Sequence, residues 1–180
     1  VGFQMYCDLL SIEIQKTKSG SETVQKTPQV TTSFQPDIGS DYVENMSLRI
    51  DYYYRVGSAT SLEQLNKIEK ELVDVFGPIP EKTKNLLLVA SLKVGYKSTP
   101  VSQIDIQDSV LKIIIQPFDE GEQLVFLSRV GVYKHKALES VRFKEVSGGL
   151  LGVFLNVSGS RDAFDLLFDF VHLFDPIDTA

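Results

Sequence analysis

The chain has 180 residues, room for one compact domain with appendages or two small ones at about 150 residues per domain. Its 43% hydrophobic and 23% charged residues are those of a globular protein and exclude disordered, collagen-like and membrane-embedded compositions. With 18 Lys and Arg against 24 Asp and Glu the net charge is -6, so no overall positive field draws in nucleic acid or an anionic membrane.

The single cysteine, Cys7, has no internal disulfide partner, and neither a signal peptide nor an apolar run of spanning length is present. The expected compartment is the reducing cytoplasm, with no membrane partner. The chain opens on Val1, directly in what reads as a helix, and is therefore expected to be a piece of something longer.

Residues 1–16 place Phe3, Tyr6, Leu10 and Ile14 on one stripe at spacings of three and four, the pattern of an amphipathic helix. Residues 18–28 are rich in Ser, Thr and Gly and too poor in apolar surface to offset their ordering entropy, so they read as a flexible linker. A short β-branched strand is predicted over 29–34, and a turn over 35–40.

Three helices follow. The first carries Met46, Arg49, Ile50 and Tyr53 on one face and is expected to stop at Gly57. In the second, Thr60 and Glu63 form a capping box, Leu62, Leu65, Ile68, Leu72 and Phe76 make the apolar stripe, and Gly77 with Pro78 ends it. Pro80 suits the first turn of the third, where its missing N–H costs nothing, and Leu86, Leu87, Ala90 and Val94 give its buried side.

The period then changes. A strand is predicted over 110–115, and residues 141–146 pair with 150–157 across a turn at 147–149. Between them a short helix over 121–133 would bury Leu124, Leu127 and Val130. Ser160 is placed to cap a last helix with Ala163, Phe164, Leu167, Phe168, Val171 and Phe174 on one wide apolar face. The expected fold class is α+β, with helices packed on a small antiparallel sheet.

Catalytic chemistry finds little support in the residues. No glycine-rich loop ends in Lys-Ser/Thr to cradle phosphates, and without one the acids Asp119 and Glu120 beyond Pro117 read as a surface turn rather than a magnesium-holding pair. His135 and His172 lack partners at ligand spacing, so no metal site is expected. Cys7 has no base nearby in sequence, and the glycosylation-type patterns at Asn45 and Asn156 carry no meaning without secretion. No catalytic, cofactor-binding or metal residue is assigned.

The middle of the chain is more specific. The strings Arg49-Ile50-Asp51-Tyr52-Tyr53-Tyr54-Arg55-Val56, Ser58-Ala59-Thr60, Glu63-Gln64-Leu65 and Glu71-Leu72-Val73-Asp74-Val75-Phe76-Gly77-Pro78-Ile79-Pro80-Glu81 closely resemble the C-terminal (TRCF) domain of the bacterial transcription-repair coupling factor family, also called Mfd. Upstream, Ile38-Gly39-Ser40-Asp41-Tyr42-Val43 resembles the family's approach to this helix, with Gly39 where proline is usual, and Val1-Gly2-Phe3-Gln4-Met5-Tyr6 resembles the end of the motor module before it. After about Thr99 only the pattern of elements matches.

The resemblance implies a division into residues 1–18 as a helix ending the motor module, 19–33 as a flexible linker and 34–180 as a C-terminal regulatory domain. It further implies a parent that is an ATP- and magnesium-dependent double-stranded DNA translocase, which removes stalled RNA polymerase and recruits UvrA in nucleotide excision repair. This fragment would itself be no enzyme. Its role would be autoinhibitory: it packs on the parent's UvrB-like module and masks the UvrA site.

Glu71 and Asp74 match the acidic positions of the family's docking motif, and Val75 stands where the family has arginine. Both acids fall near a helix C-terminus, where the macrodipole disfavours negative charge. Taken without the resemblance, they read as i,i+4 partners of Lys67 and Lys70 on a solvated face. The alternative from another class is a stand-alone protein-interaction domain that binds an external partner.

Overall fold

The computed structural model describes residues 27–117, 119–132, 141–146 and 149–174. The expected helix over 1–18, Cys7, His135 and most of the expected linker lie outside them. The chain divides into two compact units. One is helical and holds Phe34–Gly95; the other is built on a sheet and holds Lys26–Ser33 with Tyr96–Ala180.

The helical unit contains α1 (Met46–Ser58), α2 (Leu62–Phe76) and α3 (Glu81–Gly95). Asn45 starts α1: its side-chain oxygen accepts the Ser47 and Leu48 amides at 2.9 and 3.1 Å, satisfying two of the free donors of the first turn. The helix buries Tyr52, Tyr53 and Val56, while Met46 and Ile50 are exposed at 58% and 38%. The buried stripe is thus rotated from the one expected. Tyrosine rings bury large apolar areas and can satisfy their hydroxyls locally, which outweighs a methionine at the helix start. Gly57 stays inside the last turn, and the chain leaves the helix at Ala59.

α2 is capped one residue later than the capping box at Thr60 and Glu63 would have it. Ser61 Oγ accepts the Gln64 amide at 3.3 Å, and Gln64 Oε1 reaches back to the Thr60 amide at 2.7 Å. Two overlapping motifs of the same type compete here, and Glu63 is left to pair with Lys67 at 2.8 Å. Leu65, Ile68 and Leu72 are buried, whereas Leu62 is exposed. Gly77, at φ +84°, ends the helix by donating its N–H to Val73 O at 2.9 Å, a backbone state that suits glycine. Pro80 O receives the Thr83 and Lys84 amides, both at 3.0 Å, so Pro80 caps α3 from the position before Glu81 instead of lying in its first turn. The core gathers Ile38, Val43, Tyr52, Tyr53, Val56, Leu65, Ile68, Leu72, Ile79, Leu86, Leu87 and Ala90.

The sheet unit contains β1 (Gln29–Thr32), β2 (Val101–Ile106), β3 (Val110–Ile115), β4 (Arg142–Val146) and β5 (Leu150–Asn156), in the order β1-β2-β3-β5-β4. The antiparallel expectation holds for three of the pairings but not for β1, which runs parallel to β2, so the sheet is mixed. Parallel neighbours need a long connection, and residues 33–100 with their three helices supply it. β2 went unread in the sequence because Ser102, Gln103 and Asp105 hide its apolar positions. One face of the sheet carries Val30, Ile104, Ile106, Leu111, Ile113, Val153 and Leu155, all buried.

Two helices complete this unit: α4 (Glu120–Val132) and α5 (Ser160–Phe170), the latter continued by a 3-10 turn over Val171–Phe174. α4 buries Phe126 and turns Leu124 and Leu127 outward, at 70% and 44% exposure, against the expected stripe. The cause is aromatic: the Phe126 ring stacks on Phe174 at 5.3 Å and meets Phe170 edge-on at 6.1 Å. α5 buries Ala163, Phe164, Leu166, Leu167 and Phe170. Its cap position is Gly159, not Ser160, and Asp162 Oδ2 accepts the Ser158 amide at 2.9 Å.

Candidate functional site

Glu71 and Asp74 sit in the last turns of α2, a helix end without a basic residue of its own. The structure separates their situations. Glu71 is gripped by α1: Arg55 donates two hydrogen bonds to its carboxylate, one at 2.8 Å to Oε1 and a shorter one to Oε2, and the Tyr52 hydroxyl donates to Oε1 at 3.0 Å. The Arg55 guanidinium also lies 5.1 Å over the Tyr52 ring and 3.6 Å from Asp51. A bidentate fork of this kind fixes both position and orientation.

The electrostatic consequences agree with the geometry. Hydrogen bonding from Arg55, the largest cause, and from Tyr52 pulls the Glu71 carboxyl down to about 2. The Arg55 guanidinium is raised, first by its hydrogen bond to Glu71. Burial, then the Glu71 carboxylate, pushes the Tyr52 phenol up. Arg55 supplies the positive charge that the end of α2 lacks.

Asp74 is exposed and makes no ion pair among the described residues. One turn of helix therefore presents a clamped carboxylate and an open one, beside Val75 at 61% exposure. The i,i+4 pairs read from the sequence do not form: Lys67 goes to Glu63, and Lys70 makes no ion pair to Asp74. Sequence reasoning missed Arg55 and Tyr52 because they lie on another helix. The available signal was Arg55, the basic residue in the last turn of α1, 16 residues before Glu71.

The remaining residues singled out in the sequence have structural places. Asp119 Oδ1 accepts the Glu122 amide at 2.8 Å while Glu122 reaches back to the Asp119 amide at 3.3 Å, a capping box that opens α4. Asn45 caps α1, Asn156 ends β5, and His172 is exposed on the 3-10 turn. Among the described residues no group of His, Cys, Asp and Glu is placed to hold a metal ion, and no helix is long and apolar enough to cross a membrane.

Three helices in one unit and a mixed sheet with two further helices in the other define an α+β protein that carries a clamped acidic helix end at the C-terminus of α2. Residues 32–123 match the sequence model of the TRCF domain, and the chain belongs to that family. It is 29% identical over 110 residues to the transcription-repair-coupling factor of Haemophilus influenzae, covering 58% of this chain and 10% of that protein. Against the Escherichia coli transcription-repair-coupling factor it is 30% identical over 99 residues, covering 52% of this chain and 8% of that protein. The crystal structure of the C-terminal domain of a transcription-repair coupling factor superposes with a TM-score of 0.67 at 18% identity, over 84% of this chain and 94% of that one, which shows the shared fold. The chain spans about a tenth of the length of the curated relatives it matches.

Proposed function

We propose that this chain is the C-terminal regulatory module of a transcription-repair coupling factor, a cytoplasmic DNA translocase that uses ATP and magnesium in a motor outside these residues. In this reading the parent removes stalled RNA polymerase from double-stranded DNA and recruits UvrA. The module holds it in check by docking on its UvrB-like module and covering the UvrA-binding surface. Family membership supports the assignment. The observation that carries the docking mechanism is the acidic end of α2, where Glu71 is held rigidly by Arg55 and Tyr52 and Asp74 is left open beside it.

A carboxylate fixed in place loses little side-chain entropy when a basic partner arrives, and an unpaired one has its full charge to offer. Asp74 is therefore the better probe of docking, because reversing Glu71 would also break the Arg55 pair. In the full-length protein, Asp74→Lys is expected to open the closed state, raising UvrA affinity by about tenfold and ATPase turnover without polymerase. The swap Arg55→Glu with Glu71→Arg keeps an internal pair while reversing the sign presented at the surface, and is expected to act in the same direction. UvrA affinities equal to wild type in both variants at matched salt would overturn the docking role and leave Asp74 an ordinary solvated residue.

A further inference from the structure

β4 is the outermost strand of its sheet: it pairs with β5, and no strand among the described residues pairs with its other side. Such an edge offers alternate N–H and C=O groups to any chain that lies beside it. Arg142, Phe143, Lys144 and Glu145 are all exposed, so no described residue covers these positions on either face of the strand. At the opposite edge, by contrast, Val30 of β1 is buried and Thr31 and Thr32 are half-buried, and the buried Pro28 just before the strand has no N–H to offer.

The side chains on β4 are sorted by charge. The register sets Arg142 opposite Phe154 and Lys144 opposite Gly152, while Phe154 in turn faces Lys112 on β3. One row across the sheet thus reads Lys112, Phe154, Arg142, with Lys144 one step along and about 10 Å separating the outer two strands. None of these three cations makes an ion pair among the described residues. The acid that closes the row, Asp105, is engaged by Thr31 at 2.8 Å and Gln107 at 2.7 Å. A Cβ at residue 152 would stand 2.9 Å from the Phe154 ring and 3.2 Å from Lys144 O, so the ring lies against the bare backbone of Gly152 between the cations. On the other face Phe143, at 41% exposure, extends the buried row that runs through Val153.

We propose that β4 receives an extended acidic segment of a partner protein, which adds to the five-stranded sheet as a further strand and sets its carboxylates beside Arg142 and Lys144. Charge complementarity selects this occupant: Arg142 and Lys144 stand on the edge strand itself with no ion-pair partner among the described residues, with Lys112 two strands in, on a protein of net charge -6. A second copy of this chain is disfavoured, since pairing β4 with β4 puts the arginines and lysines of both strands on one face. Nucleic acid is disfavoured by the net charge and by the single half-buried ring on that face. Backbone pairing would supply affinity, and the alternation of acid and apolar side chains would supply specificity.

The test is fluorescence anisotropy of the whole chain with a short labelled peptide of alternating Glu and Val, compared with its Lys and Val counterpart. Saturable binding of the acidic peptide is expected, with slowed amide exchange over residues 142–146. Binding should fall by at least about tenfold for the basic peptide and for the variant Arg142→Glu, Lys144→Glu. On the wild-type chain, a peptide N-methylated at every residue has no N–H for the ladder on either edge and is expected not to bind. Equal binding of both peptides, undiminished binding of the N-methylated one, or no binding at all would overturn the proposal. Capture of an oligothymidylate in place of the acidic peptide would overturn it as well and assign the face to nucleic acid.

Discussion

In the helical unit, Tyr42, Tyr52 and Tyr53 each carry a hydroxyl to a different stretch of chain: to Leu72 and Gly77 carbonyls, to Glu71, and to Asp37. In the sheet unit the corresponding work is done by rows of Ile, Leu and Val on one sheet face and by a Phe126, Phe170 and Phe174 cluster, with the Tyr96 hydroxyl on Leu167 O as a polar anchor. The contrast follows from geometry. A strand ladder registers its neighbours through the backbone, so its side chains are free to be apolar. Helices have no backbone bonds to one another, and here α1 and α2 are oriented by side-chain polar contacts that only one arrangement satisfies.

This difference makes the units vulnerable to different changes, and the largest effect is expected from lost volume in the sheet. Ile113, at the centre of β3 and fully buried, should cost about 2–5 kcal/mol when changed to Ala. Urea unfolding followed by circular dichroism measures this. A loss below that of the next variant would break the comparison.

The helical unit should respond most to a deleted hydroxyl. The Tyr53 hydroxyl donates to Asp37 and accepts the Ile38 amide at 2.7 Å in a buried setting, and burial followed by the Asp37 hydrogen bond raises its phenol well above the usual range. Tyr53→Phe keeps the ring yet strands the Ile38 N–H, an expected loss of about 1–3 kcal/mol. If amide exchange at Ile38 and Leu65 stays as slow as in the wild type, the polar anchoring of this unit is wrong.

The smallest effect is a pH dependence confined to the α1 and α2 seam. Glu71 has its carboxyl lowered to about 2 in the folded protein, chiefly by Arg55, so its contribution is fully present above the unfolded carboxyl range near 4.5 and is lost as pH falls from there toward 2. Because the side chain is 42% exposed, solvent screening limits this to about 1 kcal/mol or less. Wild type and Glu71→Gln should differ in unfolding midpoint at neutral pH and converge near pH 2. A difference that persists at pH 2 would mean that packing, not charge, holds the seam.

Much of this protein was open to local reading. The turns, the order of most elements, the strand over 110–115 and the hairpin that follows were visible because apolar periodicity and Gly or Pro punctuation are properties of neighbouring residues. The family resemblance rested on the same kind of contiguous string, from Arg49 to Glu81, and residues 32–123 bear it out. Which stripe of a helix turns inward was less open, since Met46 and Leu124 fit the period as well as Tyr52 and Phe126 do.

Tertiary structure alone decided who meets whom. β2 became a strand because β1 and β3 flank it, in spite of its polar residues, and β1 runs parallel because three helices intervene before its partner. Glu71 chose Arg55 over Lys67 because a planar fork held on a neighbouring helix offers two aligned donors, whereas a lysine one turn back offers a mobile point charge. Spacing along a chain fixes which residues share a helix face, but contacts between elements depend on how those faces are brought together, and that is settled by the whole core at once.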